Sequence, residues 1–131
     1  MTTKRTAFND LAVDSLVIGA NSKAIPAPAT VQTLTGSTGT ITKTSGIVVL
    51  NKAGAITVTL ALPVAGTDDG KMLEIVSLTA QAHTIALASG TFGSGGAGYT
   101  TVTFAAAGSS LTVVAFNGKW YILQMNAAAI A

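Results

Sequence analysis

The chain has 131 residues, of which 49% are hydrophobic and only 9% charged, with a formal net charge of +2 and no cysteine. Ordinary soluble domains carry roughly 25% charged residues, so the composition favours a β protein that hides much of its surface against other chains. It excludes disulfides and thiolate metal sites, and no apolar run reaches the roughly 18–20 residues of a bilayer span or forms a secretory signal.

Residues 1–30 differ in composition from the rest, and we predict an N-terminal arm that ends in a linker. Pro26 and Pro28 remove backbone donors and favour extended chain, which is typical of a linker. Residues 11–18 fit either a short strand or one helical turn. Two interpretations stay open for this segment: an arm that becomes ordered on a neighbouring molecule, or an edge strand of the domain itself.

Residues 31–131 are predicted to form one all-β domain. They are rich in Thr, Val, Ile, Ala and Gly, with turn signals about every ten residues. We predict strands near residues 40–43, 46–50, 55–62, 71–78, 83–88, 99–105, 109–116 and 119–125. Eight short strands suit a compact β-barrel or β-sandwich of the jelly-roll or β-tulip type, and the sequence does not decide between barrel and sandwich.

The clearest local prediction is a hairpin over residues 111–123. Asn117-Gly118 is the preferred loop of a type I′ turn, because both central residues need a positive φ. This loop places Phe116 opposite Lys119, Ala115 opposite Trp120, Val114 opposite Tyr121 and Val113 opposite Ile122. Both faces of the hairpin are then apolar, whereas a sheet with one solvated side alternates with polar residues. We therefore predict that the core covers one face and a subunit interface the other.

The residue types that usually carry chemistry stand in unfavourable contexts. Residues 93–98 match G-x-G-x-x-G, but a strand pattern follows them in place of a helix, which predicts a Gly-rich loop. His83 is the only histidine, and no partner suggests a catalytic relay or a zinc site, so we predict a polar contact at a strand start or subunit seam. The lysines and arginines are scattered. The sequence predicts no catalytic residue, metal ligand or cofactor, and no nucleic-acid or membrane partner.

Three segments resemble a known group of proteins. They are residues 67–71 (TDDGK), 82–85 (AHTI) and 114–123 (VAFNGKWYIL). Their order and spacing are similar to those of small β-rich virion proteins of tailed bacteriophages, of the capsid decoration (cement), head-fibre or tail-fibre type. The similarity covers about residues 45–125, with Phe116 where Tyr is more usual. The resemblance implies a β-barrel or sandwich that trimerises and sits on a protein lattice, and it implies no active site.

We therefore expect a structural virion protein that is not an enzyme: a capsid decoration protein, made in the host bacterial cytoplasm and located on the capsid surface. It would bind the major capsid protein as a homotrimer and stabilise the expanded head. The expected trimer contact is Phe116, Trp120, Tyr121 and Leu123, and the expected lattice contact is Phe8, Leu11, Leu16 and Ile18. The alternative is a tail- or head-fibre module that binds a host surface glycan through aromatic side chains such as Tyr99 or Trp120.

Overall fold

The computed structural model describes residues 30–93 and 98–131, which form ten strands and no helix. The strands are β1 (Val31–Leu34), β2 (Thr38–Ile41), β3 (Gly46–Leu50), β4 (Thr57–Leu60), β5 (Met72–Ser77), β6 (His83–Leu87), β7 (Thr101–Phe104), β8 (Ser110–Phe116), β9 (Lys119–Asn126) and β10 (Ala128–Ile130). They make two open sheets, sheet A in the order β1-β3-β5-β8-β9 and sheet B in the order β10-β7-β6-β4-β2. The all-β class is confirmed, and two open sheets form a sandwich and not a closed barrel.

The first six strands alternate between the sheets, with the odd-numbered strands in sheet A and the even-numbered ones in sheet B. From β3 onwards, each of these strands pairs in parallel with the strand two places earlier in the chain, so β3 pairs with β1 and β4 pairs with β2. Parallel neighbours cannot be joined by a tight turn, and here each crossover passes through the opposite sheet. The chain from β1 to β6 therefore winds as a flattened coil of three turns, each with one strand in each sheet.

Antiparallel strands complete the sandwich on the side away from β1 and β2. β7 and β10 extend sheet B, and β8 and β9 extend sheet A. The hairpin register is confirmed, because Phe116 lies opposite Lys119 and the next three pairs follow as predicted. Asn117 and Gly118 have φ values of 48° and 74°, as a type I′ turn requires. A register shift beside Val113 leaves Leu123 without a partner on β8.

The core lies between the two sheets and is built from alternate residues of the strands, as the buried and exposed positions of β4 show. Its largest fully buried side chains include Trp120, Phe104 and Ile41. The backbones of Thr30 and Gly46 lie close together where β1 begins beside β3. A Cβ on Gly46, which has a φ of 98°, would lie 2.5 Å from the Thr30 carbonyl oxygen, so only glycine fits at that position.

Candidate interaction surfaces

The outer face of sheet A is apolar, and we call it the apolar face. Its outward side chains include Val31, Ile47, Val49, Met72, Val76, Val114, Phe116, Tyr121 and the unpaired Leu123. Four of them are more than half exposed: Val31 at 59%, Met72 at 51%, Phe116 at 58% and Leu123 at 56%. Glu74 and Lys119 are the charged strand residues on the same side, and the uncharged polar residues there include Thr33, Ser110, Thr112 and Gln124. Met72, Val114 and Tyr121 are aligned in one row beside Phe116, whereas Val31 lies at the opposite edge of the sheet. Contiguous exposed apolar patches of the first kind mark interaction sites on soluble domains.

Three of the four residues expected at a trimer contact lie on the apolar face. The rings of Phe116 and Tyr121 pack with centroids 6.3 Å apart and planes tilted by 60°. Gly93 also lies against Tyr121, since a Cβ there would be 2.5 Å from the ring. Tyr121 is therefore fixed and half-buried, while Phe116 and Leu123 present free apolar surface.

Trp120, the fourth expected contact residue, lies inside the sandwich. It is fully buried in the core, and its indole Nε1 donates a 2.8 Å hydrogen bond to the carbonyl oxygen of Ala61. Pairing with Ala115 places its side chain on the inner face of the hairpin, opposite to the face of Phe116 and Tyr121. Trp120 therefore has no surface to offer a second molecule or a glycan, and its role in the folded chain is to hold the end of β4 against β9.

The segment that precedes β5 is bound to the hairpin tip. The Asp69 carboxylate accepts a 2.8 Å hydrogen bond from the Asn117 amide, and the Gly70 amide donates to the Ala115 carbonyl. These bonds join residues that are nearly fifty positions apart in the sequence. Two of the motifs that carry the phage resemblance therefore meet at one end of the sandwich, where they have a structural function.

Asp68 organises the same turn from within. Its carboxylate accepts a 2.7 Å hydrogen bond from the Val64 amide and forms a 2.7 Å ion pair with the ammonium group of Lys71. The hydrogen bond from Lys71, and then that from Val64, hold the pKa of the Asp68 carboxyl below its ordinary value of 3.8. Because both oxygens already have partners, this carboxylate serves the turn.

His83 begins β6 and is fully buried. Its Nδ1 accepts a 3.0 Å hydrogen bond from the Ile56 amide, and its Nε2 lies 2.7 Å from the Thr79 hydroxyl. That hydroxyl donates to the Lys52 carbonyl oxygen at 2.7 Å, so it accepts from a protonated Nε2. Burial lowers the pKa of the imidazole below its ordinary value of 6.5. The predicted polar contact at a strand start is confirmed, and it joins the β3–β4 and β5–β6 connections to the start of β6.

The outer face of sheet B differs from the apolar face. Thr38, Thr57, Thr84 and Thr103 are aligned in one row across it, and Thr40, Thr59 and Thr101 belong to the next row with Ala86. The strand residues on this side include no ionisable group. Threonine hydroxyls form hydrogen bonds with water, so sheet B has the solvated face that an exposed sheet needs. The sandwich therefore has one polar face and one apolar face.

Several predicted features fall wholly or partly outside the described residues. Phe8, Leu11, Leu16 and Ile18 all belong to residues 1–29, and the middle of the Gly-rich loop, residues 94–97, is also outside. β7 follows that loop, and no helix begins there. In residues 30–93 and 98–131 no three His, Asp or Glu side chains are grouped as metal ligands would be, and no helix long and apolar enough to cross a membrane occurs.

Two residues of the apolar face, Val31 and Met72, could not be assigned to it from the sequence. Val31 lies on β1, a strand that was not predicted, and Met72 lies on β5, whose outward side could not be assigned without its neighbours. The alternation of Val31, Gln32, Thr33 and Leu34 was the available signal for β1, but four residues are too few to decide it. No family model matches the chain, and no curated protein matches it.

Proposed function

We propose that the chain is a capsid decoration protein that binds the major capsid lattice of a tailed phage as a homotrimer and stabilises the expanded head. The observation that carries this proposal is the apolar face of sheet A, opposite a polar sheet B. Among residues 30–93 and 98–131 nothing covers the exposed part of this face, and a second molecule is the cover that we propose. The resemblance of three sequence segments to phage virion proteins supplies the kind of assembly.

The trimer contact is assigned to the exposed part of the apolar face around Phe116, Tyr121 and Leu123, with Met72 on the neighbouring strand β5. Aromatic and large aliphatic side chains at the centre of a patch supply most of the binding free energy of an interface. Contact with the capsid shell is assigned to the N-terminal arm. Three arms on one trimer would raise the apparent affinity through their high effective concentration.

Stabilisation of the head then follows from mass action. A protein that binds the expanded shell and not its unexpanded or dissociated form stabilises it by RT ln(1 + [L]/Kd). This amounts to about 2.7 kcal/mol per site when the free protein is at a hundredfold excess over its Kd. Because a shell has many equivalent sites, a modest affinity at each would oppose rupture by packaged DNA.

The first experiment is the mass of the full-length chain in solution, measured by sedimentation equilibrium. We expect a trimer, and we expect the double variant Phe116→Ser/Leu123→Ser to shift it towards monomer. Val64→Ser is the matched control, because Val64 is exposed to a similar extent but lies in the turn before β5 and not on the apolar face. A monomeric parent chain, or equal dissociation of the control, would contradict the trimer contact.

The second experiment measures binding of the full-length chain to purified expanded and unexpanded heads of the phage that encodes it. We expect saturable binding to expanded heads only. Labelling of intact virions gives an independent position for the protein. Labelling confined to the tail would contradict decoration and support the glycan-binding fibre, and absence of binding to either head would also reject the proposal.

A further inference from the structure

Of the four outer edges of the sandwich, the edge of β9 is partly covered, whereas those of β1 and β2 have no described neighbour. At the far side the Gly93 amide donates a 2.8 Å hydrogen bond to the Trp120 carbonyl, so the loop after β6 occupies part of the outer edge of β9. At the near side, no strand among the described residues pairs with the outer edges of β1 and β2. These two strands contain neither charge nor proline, the usual protections of an exposed edge.

A buried polar group without a described partner lies at the β1 edge. Gln32 pairs with Val48, so its side chain points into the sandwich. Its Oε1 atom is buried and has no hydrogen-bond partner among residues 30–93 and 98–131. Buried side-chain oxygens are nearly always paired in native proteins. The inner side of this edge is therefore incomplete in the described part of the chain.

The steps of the coil vary from sixteen to twenty-seven residues, and the step between β1 and β3 identifies a segment that fits the gap. Val31 lies beside Ile47, sixteen residues further along the chain. The same step backwards places Leu16 beside Gln32 and Ile18 beside Leu34, both at inward positions. In sheet B, where the first step from Thr38 to Thr57 is nineteen residues, a step of sixteen would place Ile25 beside the buried Ile41.

The residues between the two apolar stretches are of compatible kinds. Residues 19–21 (GAN) fall where residues 35–37 (TGS) turn between β1 and β2. Lys23 falls beside Gly39, where an added Cβ would meet only a Val58 methyl group at 3.8 Å. An ammonium group on this side of the sandwich would supply the kind of donor that the Gln32 oxygen lacks.

We propose that residues 15–25 of the same chain dock on the open edge as one further turn of the coil, with residues 15–18 along β1 and residues 22–25 along β2. Stacked coils need a terminal turn that covers the last buried face, and this segment has the length and the apolar positions to be one. Leu16 and Ile18 would then belong to the core, whereas Phe8 and Leu11 would stay available for a shell contact. The inference does not depend on the proposed function.

Engineered cysteine pairs test the register, since the chain has no cysteine of its own. The proposal places Val17 beside Thr33 on the outer face, within the Cα separation of about 4.4–6.8 Å that a disulfide needs. Under mild oxidation we expect Val17→Cys/Thr33→Cys to form an internal disulfide in most molecules. The control pair Val17→Cys/Gln32→Cys, displaced by one residue onto opposite faces, should remain at least about tenfold less cross-linked. Equal cross-linking of both pairs, or covalent dimers in place of the internal bond, would overturn the proposal.

Amide hydrogen exchange of the unmodified full-length chain gives a second test. The carbonyls of Thr30 and Leu34 accept from the amides of Ile47 and Asn51, on the β3 side. The amides of Val31 and Thr33 therefore point to the open edge. Docking should slow their exchange at least about a hundredfold relative to unprotected amides. Exchange of Val31 and Thr33 at the unprotected rate would refute docking.

A matched pair of variants locates the docked segment. Leu16→Asp should abolish the protection of Val31 and Thr33, because it would place a carboxylate on the inner face of the sandwich. Leu11→Asp makes the same chemical change outside residues 15–25 and should leave the protection intact. Equal loss in both variants, or in neither, would overturn the assignment. All of these measurements use the isolated chain, so their outcome is independent of capsid binding.

Discussion

The buried histidine makes the stability of the sandwich depend on pH in a narrow window. His83 is neutral in the structure, with Nε2–H donating to Thr79 and Nδ1 accepting from the Ile56 amide. A second proton, on Nδ1, would face the Ile56 N–H donor and would break that 3.0 Å hydrogen bond. Protonation of the folded state is therefore unfavourable, in agreement with a pKa that burial lowers below 6.5.

The sign of the effect follows from proton binding by the two states. Folding lowers the pKa of His83 below its ordinary value of 6.5. Once the pH falls below 6.5, the unfolded chain therefore binds more protons at His83 than the folded chain does. The contribution of neutral His83 to the free energy of unfolding is fully present above pH 6.5. It is progressively lost as the pH falls from 6.5 to the pKa of His83 in the folded state. Each unit by which folding lowers the pKa removes about 1.4 kcal/mol of the free energy of unfolding.

Urea denaturation at a series of pH values between 8 and 4.5 would measure this loss. His83 is the only histidine, and the Asp68 carboxyl, with a pKa held below 3.8, titrates under the window. The variant His83→Gln keeps an amide donor and an oxygen acceptor but does not titrate, so its stability should be flat where that of the parent chain falls. Parallel pH profiles in the two proteins would refute the assignment of the slope to His83, whatever their absolute stabilities.

Two substitutions test how the ends of the sandwich are held together. Trp120→Phe removes the donor to the Ala61 carbonyl, and we expect the free energy of unfolding in urea to fall by about 1–3 kcal/mol; unchanged stability would show that this bond is unimportant. Gly93→Ala places a methyl group 2.5 Å from the Tyr121 ring and should cost about 1–3 kcal/mol in the same assay. Gly54→Ala is its control, since the nearest atom is 3.9 Å away, and an equal loss in both would contradict the steric explanation.

The local features of the fold could be predicted because local residues specify them. The eight predicted strands all occur, with ends that differ by at most two residues, and the hairpin has the predicted register. Asn117-Gly118 determines that register through its own backbone conformation. The strict alternation of residues 57–60 likewise gives the buried side of β4 directly. Neither prediction required knowledge of a distant neighbour.

The pairing of the strands could not be predicted in the same way. β1 and β10 are short and were missed, and nothing in a single strand shows that its neighbour is parallel and one coil away. Trp120 illustrates the limit at the level of a side chain. Its place on the apolar hairpin could be predicted, but its enclosure depends on Ala61, which is 59 residues earlier in the chain. Contacts of this kind arise from the winding of the whole coil.

Low charge alone does not explain why this chain should associate. The outer face of sheet B has no ionisable strand residue, yet its threonine hydroxyls can be hydrated, and it needs no cover. The charged strand residues Glu74 and Lys119 both lie on the outer face of sheet A, and not on that of sheet B. Sheet A is nevertheless the side with the exposed large apolar side chains. The proposed association would therefore be driven by Met72, Phe116 and Leu123 on one face, and not by the overall scarcity of ions. Charges added to sheet B should accordingly leave an oligomer intact, whereas polar side chains at Phe116 and Leu123 should dissociate it.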